Sequence, residues 1–522
     1  MTGTRGAPGN RAARTPLDAQ QLEPHVPTAT GMLAFILFAS ALLVYFAWQP
    51  LWHTDLWGHL AYGRWMSEHR SLPANEPFLP WQADEPFVDT AWLSQWIGYT
   101  AYRTLGIGGI QFLYAGGIAF SAGMLAYSLW RRCGSPFWGV FGAMVFLFVD
   151  WEQLRIVRPQ LAGLVCYSIL LSIILRPKER WELARVSLLF ITWTNLHGSF
   201  VIGWVAILAT LVGRAFPMGI QSQSLRTAAM DPEVRRSALL LGIATAVTLV
   251  NPYGWRLYFE ISRVASHPNL HDLIEWKPLF DHPRQLTAYV AVGAITIAAI
   301  GLEFARRSNR RVSLVEWSVF LLFAAAASIS SRMILWWGPI AGWILAIIGS
   351  SLGKPGGRDS STDDGRRPLA DWKPKAMGAA ILLVAIASTP AGMEMVTGRP
   401  QRLQDAVSTQ TPIGAAEFLR DHPATGRIFN PMEWGDYLVW SGPEDLEIFA
   451  NSHAHLIPPE IWRDYMRAIE GGAEALAILD RHNVEVVVTD PDRQGALIES
   501  LRASSKWKQS YEDDRSIVFE ER

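Results

Sequence analysis

Long apolar runs alternate with short polar connections over the first three quarters of the chain. Runs of about 17–25 apolar residues are long enough to cross a bilayer as helices. About eleven stand out, near residues 32–48, 108–130, 137–149, 161–175, 186–196, 201–212, 238–250, 288–302, 314–327, 333–352 and 376–390. Several fall short of a full crossing, which puts their polar ends in water-filled clefts rather than in lipid. Ala39-Ser40-Ala41 in the first run mimics a signal-peptidase site, but the apolar stretch continues to Trp48 and the preceding segment is long. It reads as a retained helix. Residues 49–107 form a first outer loop with helix-period spacing at 56–66 and 91–102, lying along the membrane surface. Residues 251–286 form a second, rich in Trp, His and Pro.

After residue 395 the pattern becomes that of a water-soluble domain. Helices are expected at 413–420, 461–469 and 474–481, and strands at 427–430, 484–489 and 517–520. Such alternation predicts a small α/β layer. The expected architecture is an α-helical polytopic membrane protein carrying a C-terminal α/β domain. Its expected parts are a disordered segment 1–28, a membrane domain 29–394 with a flexible linker at 353–375, and the soluble domain 395–522.

Composition agrees with the pattern. Hydrophobic residues make up 50% and charged residues 18% of the 522, and mean hydropathy is +0.13. A wholly soluble enzyme of this size needs more charge to cover its surface. The 46 basic and 47 acidic side chains nearly cancel, so no nucleic-acid footprint is visible. The 24 Trp suit membrane interfaces. Cys133 and Cys166 are the only thiols, one in an expected cytoplasmic turn and one mid-membrane, so neither a disulfide framework nor a cysteine metal site is available. Starting with the N-terminus inside, the cytoplasmic segments carry 23 Lys and Arg against 10 in the longer outer loops. This bias predicts N-in, C-out, with everything after Pro390 outside the cytoplasm.

Polar groups gather at the outward helix ends. They are Asp55, Asp150, Glu152, Arg158, Asn195, His197, Asn251 and Arg332. Ionisable groups at membrane depth are costly and by default mark a site. Asp55 and His59, four residues apart, share one helix face and read either as an N-cap with a surface His or as a general-base carboxylate above the bilayer. Asp150 and Glu152 put two carboxylates on a short turn, which suits a hard divalent cation. Arg158 precedes a proline that opens a helix; it snorkels, or with Arg332 holds a lipid phosphate. Asn195 and His197 occupy a tight interhelical turn, where a satisfied structural His is the plainer reading, and Asn251 reads as a helix stop. There is no Walker loop, no nucleophile elbow, no zincin helix and no dinucleotide fingerprint.

The layout resembles the GT-C superfamily of membrane glycosyltransferases, in a bacterial branch. Thr54-Asp55-Leu56-Trp57-Gly58-His59 is similar to the acidic segment that opens the first outer loop in that group. Asp150 and Glu152 match, in position and type, a second acidic pair of the oligosaccharyltransferases. Glu433-Trp434-Gly435-Asp436-Tyr437 is similar to their acceptor-recognising Trp-Trp-Asp-Tyr-Gly motif, but is reordered and lacks one Trp. That departure bears on sequon recognition and N-glycosylation. The resemblance implies a polyprenyl-phosphate sugar donor and an acceptor that is a protein, a lipid or a glycan. It implies Asp55 and His59 as catalytic groups, and Mg²⁺ or Mn²⁺ held by Asp150, Glu152 and Asp55. Arg158, His197 and Arg332 would bind the lipid phosphate, and Asn195, Asn251, Trp434 and Asp436 would serve the acceptor or the structure. The rival readings are a lipid or solute transporter, which calls for repeats and mid-membrane charges, and a non-catalytic scaffold, with which the lone Glu316 inside an apolar run is equally compatible.

Overall fold

The computed structural model describes residues 28–52, 54–82, 86–177, 179–306, 312–352, 372–424, 426–444 and 446–522. Most of the 1–28 segment and of the 353–375 linker lies outside them. The first half holds α1 (Ala29–Ala47), α2 (Leu56–His69), α3 (Trp92–Cys133), α4 (Pro136–Val149), α5 (Trp151–Leu154), α6 (Gln160–Ile174), α7 (Glu182–Leu196), α8 (Phe200–Ser222), α9 (Leu225–Met230) and α10 (Pro232–Val247). After these come α11 (Arg256–Ala265), α12 (Pro283–Arg306), α13 (Leu314–Ile329), α14 (Ile334–Leu352), α15 (Trp372–Ala387) and α16 (Pro390–Thr397). The C-terminal part contains α17 (Leu403–Ala406), α18 (Ile413–Asp421), α19 (Met432–Ser441), α20 (Pro459–Ile469), α21 (Gly472–Arg481) and α22 (Gly495–Ala503). Its strands are β1 (Arg427–Phe429), β2 (Val484–Thr489), β3 (Trp507–Glu512) and β4 (Ile517–Glu521).

Each apolar run is helical. Among the described residues five helical stretches are long and apolar enough to cross a membrane, or six if α15 and α16, bent by 84°, count as one. The central one is Ser331–Leu352, whose apolar window is 83% buried, against 22% for Ala29–Ala47. Large apolar side chains on the outer helices, such as Phe148, Leu188, Phe216 and Leu321, are exposed, as hydrocarbon-facing surfaces are. The surface segments expected at 56–66 and 91–102 are α2 and the first turns of α3. α3 breaks at Leu105 and Gly106, and Gly106 takes φ 58°, ψ −153°, a conformation essentially reserved for glycine.

Local chemistry explains several boundaries. Asp231 caps α10 by accepting from the Glu233 and Val234 amides at 2.8 and 3.1 Å. Ser313 and Glu316 form a capping box on α13. Glu316 also accepts from Arg132 Nε at 3.2 Å and from the Trp343 indole at 2.9 Å, so its side chain is fully employed in joining helices. Cys133 and Cys166 are both buried and unbridged.

The sheet is mixed, in the order β1-β2-β4-β3; β1 and β2 run parallel, and β4 is antiparallel to both its neighbours. Val487 faces Phe519 and Val488 faces Val518 across β2 and β4. β1, β2, β4 and three of the helices fall where the sequence pattern places them. α17, α19, α22 and β3 were not expected. This C-terminal part joins the helical part at several places, two of them at the first outer loop. The chain after α1 bonds it through the Leu51 amide to Ala406 O and the Ser408 amide to Leu51 O, both at 2.8 Å. α19 packs on α2, with Trp57 edge-on to Tyr437 at 5.1 Å and the Arg64 guanidinium 4.6 Å from the Trp440 ring.

Candidate active site

Asp55 takes the N-cap position of α2 with φ 51°, an uncommon conformation for a residue other than glycine. Its carboxylate makes no capping bond to its own helix. It pairs instead with Arg158 Nε, while the two terminal nitrogens of Arg158 grip both oxygens of Glu275. Arg158 is delivered by the turn between α5 and α6, and Glu275 by the loop that follows α11, so one planar guanidinium ties three distant segments together. Burial pushes the Asp55 carboxyl above its ordinary value, against the pull of Arg158. For Glu275 the attraction of Arg158 outweighs burial and the net shift is downward.

Arg332 lies close enough to act electrostatically on Asp55, Glu275, His59 and His197. Its guanidinium stacks 5.2 Å from the Trp276 ring. Among the described residues it forms no hydrogen bond or ion pair, and it is partly exposed. A guanidinium in that state has donors to offer an anion. His197 ends α7 and its Nδ1 accepts the Ser199 amide at 3.0 Å. The neutral ring therefore carries its proton on Nε2. Burial first, then Arg332 and Arg158, hold His197 down to about 3.

Above this group sits His59, whose Nδ1 lies 3.2 Å from the Gln95 amide nitrogen. The same nitrogen donates to Asp89 at 3.1 Å, and the Ala91 amide donates to Asp89 at 2.8 Å. His453 and His455 extend the set from the C-terminal part, with ring centroids 5.6 Å from His59 to His453 and 5.6 Å from His453 to His455. Burial lowers all three histidines, His453 to about 4, and raises Asp89 to about 7. At neutral pH this layer is an array of uncharged imidazoles over the Asp55–Arg158–Glu275 row.

The structure therefore brings Asp55, His59, Arg158, His197 and Arg332 together. It keeps Asp150 and Glu152 apart from them. Asp150 is fully buried against Gly338 and beside Tyr167, and neither of its oxygens has a hydrogen-bond partner among the described residues. Glu152 faces Arg284 at 3.6 Å. The donor set expected for Mg²⁺ or Mn²⁺ is not assembled, since Asp55 is committed to Arg158, and among the described residues no three His, Cys, Asp or Glu converge as metal ligands.

Four other expected residues have clear placements. Asn195 donates to Ile191 O and Val250 O, both at 2.8 Å, and accepts from the Trp92 indole at 3.1 Å, so all its bonds lock helix ends together. Asn251 builds a turn, donating to Thr248 O at 2.7 Å and accepting the Tyr253 amide at 2.8 Å. Trp434 is 2% exposed, with Arg515 over its ring at 5.5 Å, and Asp436 is 0% exposed. Glu275, Asp89, Gln95 and His453 carry no spacing signal that sets them apart from other loop residues; the one legible hint was the His453-Ala454-His455 pair.

With that geometry established, three solved structures can be compared. ArnT from Cupriavidus metallidurans bound to undecaprenyl phosphate matches over 94% of this chain and 98% of its own, at TM-score 0.54 and 13% identity. The same protein in its apo state matches at TM-score 0.52 and 15% identity, with the same coverage. The Archaeoglobus fulgidus oligosaccharyltransferase in complex with Zn and sulfate matches over 94% of this chain and 73% of its own, at TM-score 0.51 and 12% identity. No family model and no curated protein matches the sequence. At these identities the likeness shows the fold. That fold is shared with them across nearly the whole chain.

Proposed function

We propose that this chain is a membrane glycosyltransferase that moves a sugar from a polyprenyl-phosphate donor to an acceptor hydroxyl at the outer face of a bacterial cytoplasmic membrane. All eleven apolar helices cross, short ones included, with the N-terminus inside and residues 395–522 outside. The observation that carries this reading is the Arg332 guanidinium, without a hydrogen bond or ion pair among the described residues, beside the Asp55–Arg158–Glu275 row. The fold likeness to a protein that binds undecaprenyl phosphate supports it.

The acceptor oxygen attacks the anomeric carbon while the bond from that carbon to the phosphate oxygen breaks, with inversion. The hydroxyl proton passes to Asp55, whose pKa burial raises above its ordinary value. The lipid phosphate leaves carrying the bonding electrons. Arg332 meets that developing charge, Arg158 contributes from beside Asp55, and His197 offers its Nε2 proton as a neutral donor. The isoprenoid tail lies along the apolar helices and positions the reacting end.

Purified protein incubated with radiolabelled undecaprenyl-phosphate pentose or hexose is expected to release undecaprenyl phosphate. Asp55→Asn is expected to abolish release while the protein remains folded in detergent. Full activity in that variant would remove Asp55 from the mechanism, and binding of the donor without turnover in the wild type would favour a carrier or scaffold.

A further inference from the structure

The end of the bundle remote from the candidate site holds two arginines that converge on one phenol. Arg131 lies in the last turn of α3, and Arg176 in the turn after α6. Arg131 donates to Tyr127 Oη at 3.4 Å, and the Arg176 guanidinium lies 5.8 Å from the Tyr127 ring. Arg176 also donates to Ser128 Oγ at 3.2 Å, while Arg131 Nε is buried with no acceptor among the described residues. Neither guanidinium forms an ion pair among those residues, and Arg131 and Arg185 both repel Arg176. Glu179, the carboxylate in the same turn, is bonded to Arg185 at 2.6 Å. The nearby Arg132 and Arg236 show the ordinary outcome, matched with Glu316 and Glu182.

A groove leads to the unmatched pair. Leu113 and Phe120 on α3 are 42% and 44% exposed, and Tyr127 continues their seven-residue spacing on one helix face. On that face a Cβ at Gly116 would find nothing outside its own helix within 4 Å. Beside it, a Cβ at Gly117 would reach Val165 of α6 at 3.8 Å. Phe35 of α1 closes the other side, edge-on to Tyr127 at 5.9 Å. The floor is narrow and apolar, and the charge stands only at its end.

We propose that this groove binds one anionic phospholipid, with an acyl chain along the α3 stripe and the phosphate between Arg131 and Arg176. Two like charges drawn together at membrane depth are unfavourable until an anion stands between them. Guanidinium donors bond most strongly to phosphate oxygens, and basic pockets between helices select headgroups of net negative charge. A lipid in this place ties α3 to α6, the helices whose opposite ends lead to Gln95 and Arg158. Under the proposed topology it comes from the cytoplasmic leaflet; the binding itself depends on neither that topology nor the proposed reaction.

The full-length protein in detergent, titrated with dioleoylphosphatidylglycerol and read by native mass spectrometry, is expected to retain one such lipid. Dioleoylphosphatidylcholine binds about tenfold more weakly. Arg131→Gln and Arg176→Gln each weaken phosphatidylglycerol about fivefold to tenfold, and together about 50-fold. Arg226→Gln, an exposed arginine of α9 at the same end, leaves binding unchanged. Gly116→Trp fills the groove, keeps both cations and abolishes retention. Equal binding of the two lipids would overturn the proposal, as would undiminished binding in the double variant or in Gly116→Trp. Inorganic phosphate that competes as tightly as the lipid would replace it with a free-anion site. If the double variant does not fold, the single variants and Gly116→Trp decide by the same readout. A wild type that releases no lipid phosphate refutes the proposed function and leaves this result standing.

Discussion

At the scale of single residues, the outer cluster is governed by what burial does to charge. Asp89 is 3% exposed and its carboxyl is pushed up to about 7 from an ordinary 3.8. A group whose folded pKa is raised contributes stability below its unfolded value and loses it as pH rises through the folded one. Asp89 therefore works against the folded state increasingly between about pH 4 and 7, at an upper limit of about 1.4 kcal/mol per pH unit. Asp89→Asn keeps an acceptor for the Ala91 amide and removes this cost. Its melting temperature is expected to rise above the wild type's across that window and to hold the gain at pH 8. A constant difference from pH 5 to 8 would show that Asp89 does not titrate there. His197 and His453, held to about 3 and 4, act in the opposite direction. They are neutral in the folded protein and protonated when unfolded, so stability is lost as pH falls below about 6.5. Asn195 and Asn251, which the sequence left between acceptor and structural duty, have their bonds satisfied by backbone groups at helix ends, the plainer role for an amide in a tight turn.

At the scale of elements, the site depends on how helices end and bend. α3 joins two patterns in sequence, a surface segment at 91–102 and an apolar run at 108–130, and it is two segments in space. Its first turns carry Trp92 and Gln95 to the site, and the rest enters the bundle after the break at Gly106. At φ 58° and ψ −153° a Cβ is strained even where space is open. Gly106→Ala is expected to cost about 1–3 kcal/mol, read as a lowered melting temperature in detergent. An unchanged melt would mean the break tolerates a side chain. Long helices were legible because 3.6-residue periodicity and apolar length are local properties. α19 and α22 were not, because their exposed-to-buried alternation is set by partners far along the chain, and β3 (Trp507–Glu512) reads as a polar stretch until β4 lies beside it.

At the scale of the whole molecule, the proposed topology makes a direct prediction. Both native thiols are buried, so an introduced cysteine reports alone. In intact cells Lys508→Cys, on the exposed face of β3, is expected to react with a membrane-impermeant maleimide, while Trp181→Cys, 65% exposed at the opposite end of the bundle, reacts only after lysis. The reverse pattern would invert the orientation and move the site to the cytoplasm. The same layout explains why one site can draw on so many segments. Outward helix ends converge under the C-terminal part, and Asn269 donating to Ala454 O and Ile457 O at 2.8 Å joins the second outer loop to that cover.

By itself the sequence determined where apolar helices lie, which ends carry charge, and that a mixed α/β part follows them, because hydrophobic length, periodicity and charge bias act locally along the chain. Only the tertiary structure decided which charges meet. Asp55 and Arg158 are 103 residues apart and Glu275 a further 117, and nothing in their spacing separates that row from Asp150, which the fold seals against Gly338. Pairing between buried charges is chosen by the three-dimensional path of the backbone, since burial makes an unmatched charge costly and only the packed bundle sets which partner lies within reach.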